Sequence, residues 1–193
     1  MKAIILNSGI GSRMGNLTSD KPKCMTQIME NETILSRQLK MMAEYEIKDI
    51  IITTGYLSNE IIDYCNSLEL PLNYTFVNND KFKETNYIYS LYLAREACNN
   101  DDIILMHGDL VFESRVLESV LNSDKSCMVV SSNMKLPVKD FKAVLNGDRI
   151  EKIGINYFNN AVAAQALYHL RKSDWKVWLD KIVEFCENGK TDI

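Results

Sequence analysis

The stretch Ala3-Ile4-Ile5-Leu6-Asn7-Ser8-Gly9-Ile10-Gly11-Ser12-Arg13-Met14-Gly15 runs from a continuous apolar segment into a glycine-bearing loop. An apolar run without polar alternation fits a strand buried on both faces, as in a parallel sheet. Glycines placed directly after such a strand let backbone N–H groups come close to phosphate oxygens. The loop lacks the Gly-Lys-Ser/Thr of a Walker phosphate loop. It is not a dinucleotide fingerprint either, since Met14 stands at the third glycine position and no acidic residue ends the second strand. On the glycines alone, a phosphate-binding loop and a plain glycine-rich turn are equally available.

The basic residues shift that balance. Arg13 sits within the loop, and Lys21-Pro22-Lys23 follows it. Pro22 biases Lys21 towards an extended conformation. Arg13 and Lys23 can then face one phosphate-sized space above the sheet, where two cations and several N–H donors suit a triphosphate. Lys21 reads as an ordinary solvated lysine.

Outward from this loop, strands and helices alternate. Ile34, Leu35, Gln38, Leu39, Met42 and Ala43 have near-helical spacing, which predicts a helix over 34–44. Residues 49–54 and 102–107 repeat the buried-strand pattern, and 71–77 is a weaker strand. Helices are expected over 57–66, with Ser58 as N-cap, over 87–98, and over 116–121 behind Ser114. Residues 127–131 read as a further strand. Asn146-Gly147 signals a tight hairpin, and 161–170 adds an antiparallel piece. Trp175, Trp178, Leu179, Ile182 and Cys186 form one apolar face of a helix over 174–188, with Gly189 as its C-cap. The expected fold is therefore α/β: a Rossmann-like, three-layer, mixed and mostly parallel sheet with helices on both faces. Ligands in such folds bind beyond the carboxyl ends of the strands. That places interest after Leu6, after Thr54, after Val77, and at His107-Gly108-Asp109. Asp101-Asp102, at the opposite end, reads as a solvated turn, and His107 as a packed strand residue.

Composition narrows the classes further. The 193 residues are 46% hydrophobic and 25% charged, with 8 Gly and 3 Pro, which excludes collagenous, low-complexity and fully disordered chains. One domain over 1–193 is expected. The net charge of -4 gives no general affinity for nucleic acid. The longest apolar runs fall far short of the roughly 18 residues a spanning helix needs, and no secretory leader is evident, so a cytoplasmic protein is expected. Five scattered cysteines without a CxxC pair argue for free thiols over a zinc site or disulfide framework.

The residues Ala3 to Met14, followed by Lys21-Pro22-Lys23-Cys24-Met25, resemble the signature loop of the nucleotidylyltransferases (pyrophosphorylases). That loop usually begins Ala-Ala-Gly, whereas here it begins Asn7-Ser8-Gly9. With Thr85-Asn86-Tyr87-Ile88-Tyr89-Ser90-Leu91-Tyr92, the chain is most similar to the phosphocholine and 2-aminoethylphosphonate cytidylyltransferase branch. The resemblance implies transfer of CMP from CTP to a small phosphate or phosphonate acceptor, with loss of pyrophosphate. It implies Arg13 and Lys23 as catalytic cations. It implies nucleotide contacts from Leu6, Asn7, Ser8, Gly9, Gly11 and Ser12, from the Gly55-Tyr56 turn, and from Asn86 and Ser90. Asp109, at a strand end, is the candidate ligand for Mg²⁺. Asn156, Tyr157, Gln165 and Tyr168 fall where relatives build the acceptor side. A second metal-binding Asp that relatives carry in a late strand has no counterpart here, and Asp192 does not match its motif. The chain is therefore expected to lack a C-terminal segment, or to continue into a longer polypeptide. A sugar-1-phosphate nucleotidylyltransferase, a sugar transferase of similar architecture and a non-catalytic nucleotide-binding module are the alternatives. The sugar transferase's Asp-x-Asp metal motif is not evident at His107-Gly108-Asp109.

Overall fold

The computed structural model describes residues 1–11, 20–98 and 100–192, so Ser12 and Arg13 of the glycine loop lie outside the described residues. In chain order the first elements are β1 (Lys2–Leu6), a 3-10 turn (Lys23–Met25), the short hairpin β2 (Gln27–Met29) and β3 (Glu32–Thr33), α1 (Ile34–Glu44), β4 (Asp49–Thr54), α2 (Ser58–Ser67) and β5 (Asn73–Asn78). They are followed by α3 (Tyr87–Leu93), α4 (Arg95–Cys98), β6 (Ile103–His107), α5 (Ser114–Leu121), β7 (Cys127–Ser131), β8 (Lys142–Asn146), β9 (Arg149–Gly154), β10 (Ala161–Leu170) and α6 (Lys172–Glu187).

The sheet runs β5-β4-β1-β6-β10-β8-β9, with β7 also paired to β10. Strands β5, β4, β1 and β6 are mutually parallel, while β10, β8, β9 and β7 add antiparallel pairings. The period-2 geometry of a strand sorts the apolar runs onto two faces. Ala3 and Ile5 of β1, Ile50 and Ile52 of β4, and Ile104 and Met106 of β6 pack with Leu35, Leu39 and Met42 of α1, Ile61 of α2 and Leu117 of α5. Ile4, Ile51, Ile103 and Leu105 face the other way, onto Ile88 and Leu91 of α3, Cys98 of α4, and Trp175, Leu179 and Ile182 of α6. Every second residue serves the opposite layer, so these strands read as unbroken apolar runs.

Several details differ from the sequence reading. The α2 helix is entered through Leu57, which takes a left-handed conformation (φ 53), so Ser58 is the first helical residue and not the cap. Its hydroxyl donates instead to Thr54 Oγ1 at 2.9 Å. The helix expected over 87–98 breaks into α3 and α4 at Ala94. β7 pairs antiparallel with β10 across a register shift. Trp175 is fully buried and donates Nε1–H to the Cys98 carbonyl at 2.7 Å, whereas Trp178 is 40% exposed and meets Tyr168 edge-on. Gly189 ends α6 as expected, at φ 77, with Gly189 N–H on Cys186 O and Lys190 N–H on Phe185 O. That pair of bonds is a Schellman turn. It sends the chain back to Thr191, whose carbonyl accepts Asn86 N–H at 2.8 Å, at the start of α3. All five cysteines are free. No helix among the described residues is long and apolar enough to cross a membrane.

The Asp101-Asp102 turn is not simply solvated. Asp101 pairs with Lys2 at 3.2 Å. Asp102 accepts Lys172 N–H at 2.7 Å and the Arg171 guanidinium at 3.0 Å, which ties β6 to the start of α6. The Lys172 N–H bond, with the Arg171 charge beside it, holds the Asp102 carboxyl below the usual carboxylate range. A depressed carboxyl contributes stability above its unfolded pKa, and that stability is lost as pH falls through the folded value. Asp102→Asn is expected to cost about 1 kcal/mol at pH 7, since the bonds are charge-assisted but partly exposed. The readout is a melting temperature lowered by roughly 2–4 °C. Thermal melts from pH 7 to pH 2 should show the gap between variant and wild type closing below about pH 4.

Candidate active site

Register brings the polar ends of the parallel strands to one level. Leu6 pairs with Thr53 on one side and with His107 on the other, and Thr54 pairs with Asn78. The residues just beyond these ends surround a cavity of about 350 Å³, within the range typical of small-molecule sites. The glycine loop supplies Asn7, Ser8, Gly9 and Gly11; the 3-10 turn supplies Lys23 and Cys24; β6 leads into His107, Gly108 and Asp109. Leu6, Thr53, Asn79, Phe82, Thr85, Asn86, Tyr87 and Ser90 complete the lining.

One side of the cavity is charged. Lys23 and Asp109 form an ion pair across 86 residues of sequence. Pro22, extended at φ -57 and ψ 143, leads into the 3-10 turn, where Met25 N–H bonds Pro22 O and Thr26 N–H bonds Lys23 O. Gln38 of α1, only 1% exposed, holds the other partner in place. Its Nε2 donates to His107 O at 3.0 Å and Leu110 O at 2.9 Å, which fastens the turn that carries Asp109. Burial pushes the Asp109 carboxyl up, but the Lys23 ammonium beside it prevails and holds it below the ordinary range, so Asp109 is ionised at neutral pH. Burial pushes His107 down, which keeps its imidazole neutral. Its ring packs against Tyr87, 5.6 Å between centroids, in keeping with a packing role. Lys21 is exposed, as expected.

The other side is a neutral hydrogen-bonded relay. Asn79 Nδ2 donates to Ser90 Oγ at 3.1 Å, Ser90 Oγ to Ser8 Oγ at 2.9 Å, and Ser8 Oγ to Thr53 Oγ1 at 3.0 Å. Ser90 and Ser8 each accept from one neighbour and donate to the next, an arrangement in which the bonds reinforce one another. Asn79 also reaches Thr85 Oγ1 at 3.0 Å and accepts Lys81 N–H at 2.9 Å. Asn86 caps α3 by accepting Tyr87 N–H at 2.8 Å.

Among the residues singled out by sequence, Leu6, Asn7, Ser8, Gly9, Gly11, Lys23, Asn86, Ser90 and Asp109 converge on this cavity. Gly55 does not line it but lets Ser8 and Phe82, which do, pack against its backbone, because a Cβ there would lie 2.7 Å from Ser8 O and 2.8 Å from Phe82 Cβ. Tyr56 sits beside it and tilts against Phe82, 6.3 Å between centroids. The four acceptor-side candidates are not gathered here. Asn156 is exposed and Tyr157 is 38% exposed, with its ring over Gly154. Tyr168 packs on Trp178. Gln165 lines a separate cleft with Arg37, Phe112 and Met134. Tyr89 and Tyr92 stack on each other, with Arg95 over the Tyr92 ring at 4.2 Å, and lie outside the cavity lining. Asn79 and Thr53 carry no sequence mark beyond a place at or just past a strand end, and Thr85 stands only within the stretch that carries the family resemblance.

Among the described residues that line the cavity, Asp109 is the only carboxylate. Among the described residues no group of three or more His, Cys, Asp or Glu side chains could hold a metal ion. A single ionised carboxylate fits Mg²⁺ when phosphate oxygens and water complete the shell, which is a common arrangement for that ion.

Asn79→Ala removes three side-chain bonds and orphans groups in a residue that is 1% exposed. It is expected to lower stability by about 2–3 kcal/mol. The corresponding fall in melting temperature is roughly 4–12 °C. Differential scanning calorimetry of the two proteins checks this, and an unchanged melting temperature would show that the relay carries no stability.

Several known proteins are similar to this chain. CTP:phosphoglutamine cytidylyltransferase of Campylobacter jejuni subsp. jejuni is 29% identical over 167 residues, 78% of this chain and 64% of that one. Choline-phosphate cytidylyltransferase of Streptococcus pneumoniae is 38% identical over 104 residues, 54% of this chain and 43% of that one. The chain thus spans less than two thirds of the length of these relatives. Among solved structures, CTP:phosphocholine cytidylyltransferase from Streptococcus pneumoniae superposes with a TM-score of 0.73 at 24% identity, covering 100% of this chain and 80% of that one. Inositol-1-phosphate CTP transferase from T. maritima gives 0.77 at 22% identity, covering 100% and 76%. The fold is that of the nucleotidylyltransferases, as the signature loop implied. Residues 20–163, about three quarters of the sequence, match the family described as a domain of unknown function (DUF6564), and the chain belongs to that family.

Proposed function

We propose that this chain carries the CTP site of a cytidylyltransferase that transfers CMP to a small amino-alcohol phosphate or phosphonate and releases pyrophosphate. The Lys23–Asp109 pair facing the glycine loop across one cavity carries the reading. A lysine held by a single carboxylate beside Asn7, Ser8, Gly9 and Gly11 is a cation ready for a phosphate. The Ser8, Ser90 and Asn79 side-chain protons are committed within the neutral relay, so its remaining lone pairs offer acceptors to the amino edge of a cytosine. The choice of CTP and of a phosphate-bearing acceptor follows the sequence relatives, whose names specify phosphoglutamine, choline-phosphate and an aminopropylphosphonate. Phosphocholine and 2-aminoethylphosphonate are the acceptors favoured here.

In this reaction an oxygen of the acceptor's phosphate or phosphonate attacks the α-phosphorus of CTP. A new P–O bond forms as the bond from the α-phosphorus to its bridging oxygen breaks, and the electron pair leaves with pyrophosphate. No covalent enzyme intermediate is needed, so the protein contributes positioning and charge stabilisation. Lys23 neutralises the α-phosphate and the incoming oxygen. Loop N–H groups, with Arg13, hold the β- and γ-phosphates. Asn86 and Ser90 contact the nucleoside. Asp109 would hold Mg²⁺, which when bound offsets charge on the phosphates.

Thermal-shift assays with CTP, UTP, ATP and GTP, each with Mg²⁺, test the nucleotide assignment. A ligand at about a hundred times its Kd adds roughly 2.7 kcal/mol, or several degrees for a chain of this size. CTP is expected to give the largest shift; a larger shift with UTP would favour a sugar-1-phosphate nucleotidylyltransferase, and none at all would contradict the reading. Because Asp109 is a lone carboxylate, Mg²⁺ without nucleotide is expected to leave the melting temperature within about 1 °C. In pyrophosphate-release assays with phosphocholine or 2-aminoethylphosphonate, Lys23→Ala is expected to lower kcat by about 10²-fold or more. Unchanged turnover in Lys23→Ala would remove that side chain from the chemistry.

A further inference from the structure

On the cavity floor one side chain stands out from its bonded neighbours. Asn7 follows β1 and is 9% exposed, and its Nδ2 is buried without a hydrogen-bond partner among the described residues. Its own backbone N–H is bonded, to Thr53 O at 3.0 Å and Thr53 Oγ1 at 3.2 Å. Ser8, Ser90 and Asn79 beside it are bonded as well. The carboxamide lies against Gly108: a Cβ at that position would fall 1.5 Å from Asn7 Oδ1 and 2.4 Å from its Cγ. Glycine at 108 therefore leaves the space that the Asn7 side chain fills. A buried N–H donor is unfavourable unless something accepts from it, and the cavity that Asn7 lines is where an acceptor can enter.

We propose that the Asn7 carboxamide donates to a ribose hydroxyl oxygen of the bound nucleotide and makes the site selective for ribonucleotides. The inference rests on the nucleotide reading above. It follows from the order of groups along the floor. Asn7 touches Gly108, the residue next to Asp109, so the Lys23–Asp109 charges stand on one side of it. The neutral relay through Ser8, Ser90 and Asn79 stands on the other. Phosphates go to the cation, and an uncharged base with a hydrogen-bonding edge goes to the relay. The sugar joins them, so its hydroxyls fall at the carboxamide.

The test is titration calorimetry of the full chain at fixed Mg²⁺ with CTP, 2′-deoxy-CTP and 3′-deoxy-CTP, for wild type, Asn7→Ala and Asn7→Leu. Alanine introduces no clash and loses no side-chain hydrogen bond recorded among the described residues; leucine keeps the approximate shape without the donor. The wild type is expected to bind CTP roughly three- to tenfold more tightly than one of the deoxy analogues. Both variants should bind CTP and that analogue within about twofold of each other, because the discrimination depends on the lost donor. Discrimination retained in either folded variant overturns the proposal. So does an equal loss for all three nucleotides, which would assign the donor to a phosphate. A wild type that binds CTP but does not distinguish it from either analogue overturns it as well. A wild type that binds no CTP overturns the nucleotide reading itself, which separates the two failures.

Discussion

The parallel register that sets Leu6 opposite Thr53 on one side and His107 on the other governs where polar chemistry can be placed in this protein. Below that level the strands are buried on both faces, and Ala3, Ile4, Ile5, Ile52, Ile103, Ile104 and Met106 are fully shielded. A polar side chain there would lose water without gaining a partner. Above it the strands release their chains into loops, and the cavity is lined by the strand-end residues Leu6, Thr53 and His107, by the loops and the 3-10 turn beyond them, and by the start of α3. A slip of one residue in β1 would turn Ala3 and Ile5 towards the opposite helical layer and carry Asn7 and Ser8 out of line with Thr53 and Gly108.

The two sides of the cavity are stabilised differently. The neutral relay is closed, with Thr53 receiving the last hydroxyl and Asn79 anchoring the first, so it is rigid without ligand. The charged side is held by one ion pair, and both partners are about a third exposed. Such a pair contributes little to folding, which leaves Lys23 free to exchange its carboxylate for a phosphate at small cost. Gln38 supplies the rigidity that the pair lacks, by fixing the backbone on either side of Asp109 from the buried face of α1. The return of Thr191 to Asn86 performs a similar service for the start of α3, from the far end of α6.

Much of this was legible in the sequence wherever a short-range rule decides the outcome. The unbroken apolar runs specify strands covered on both faces, and α1 occupies the predicted residues 34–44 because its apolar spacing admits little else. Lys23 and Asp109 could be singled out because strand ends and a proline-set turn leave local marks. What escaped depends on distant partners. Asp102 read as a turn residue because Arg171 and Lys172 lie about 70 positions away. The β2–β3 hairpin is too short, at three and two residues, to leave a period. Trp178 shares a helical stripe with Trp175, yet only Trp175 is fully buried, while Trp178 meets Tyr168 with one edge and stays 40% exposed. Asn79 follows the least apolar of the parallel strands and belongs to no motif, so its central place in the relay emerges only once β5 is paired with β4.

The proposed function requires this cavity to bind CTP with its phosphates at Lys23 and its base at the Asn79 relay. A crystal structure of the chain with a non-hydrolysable CTP analogue and Mg²⁺ tests it most directly. The expected result is phosphate density beside Lys23, the ion on Asp109, and the pyrimidine within hydrogen-bond distance of the Ser8–Ser90–Asn79–Thr85 group. Nucleotide bound with its base at Lys23, or seated in the cleft between Arg37 and Gln165, would contradict it.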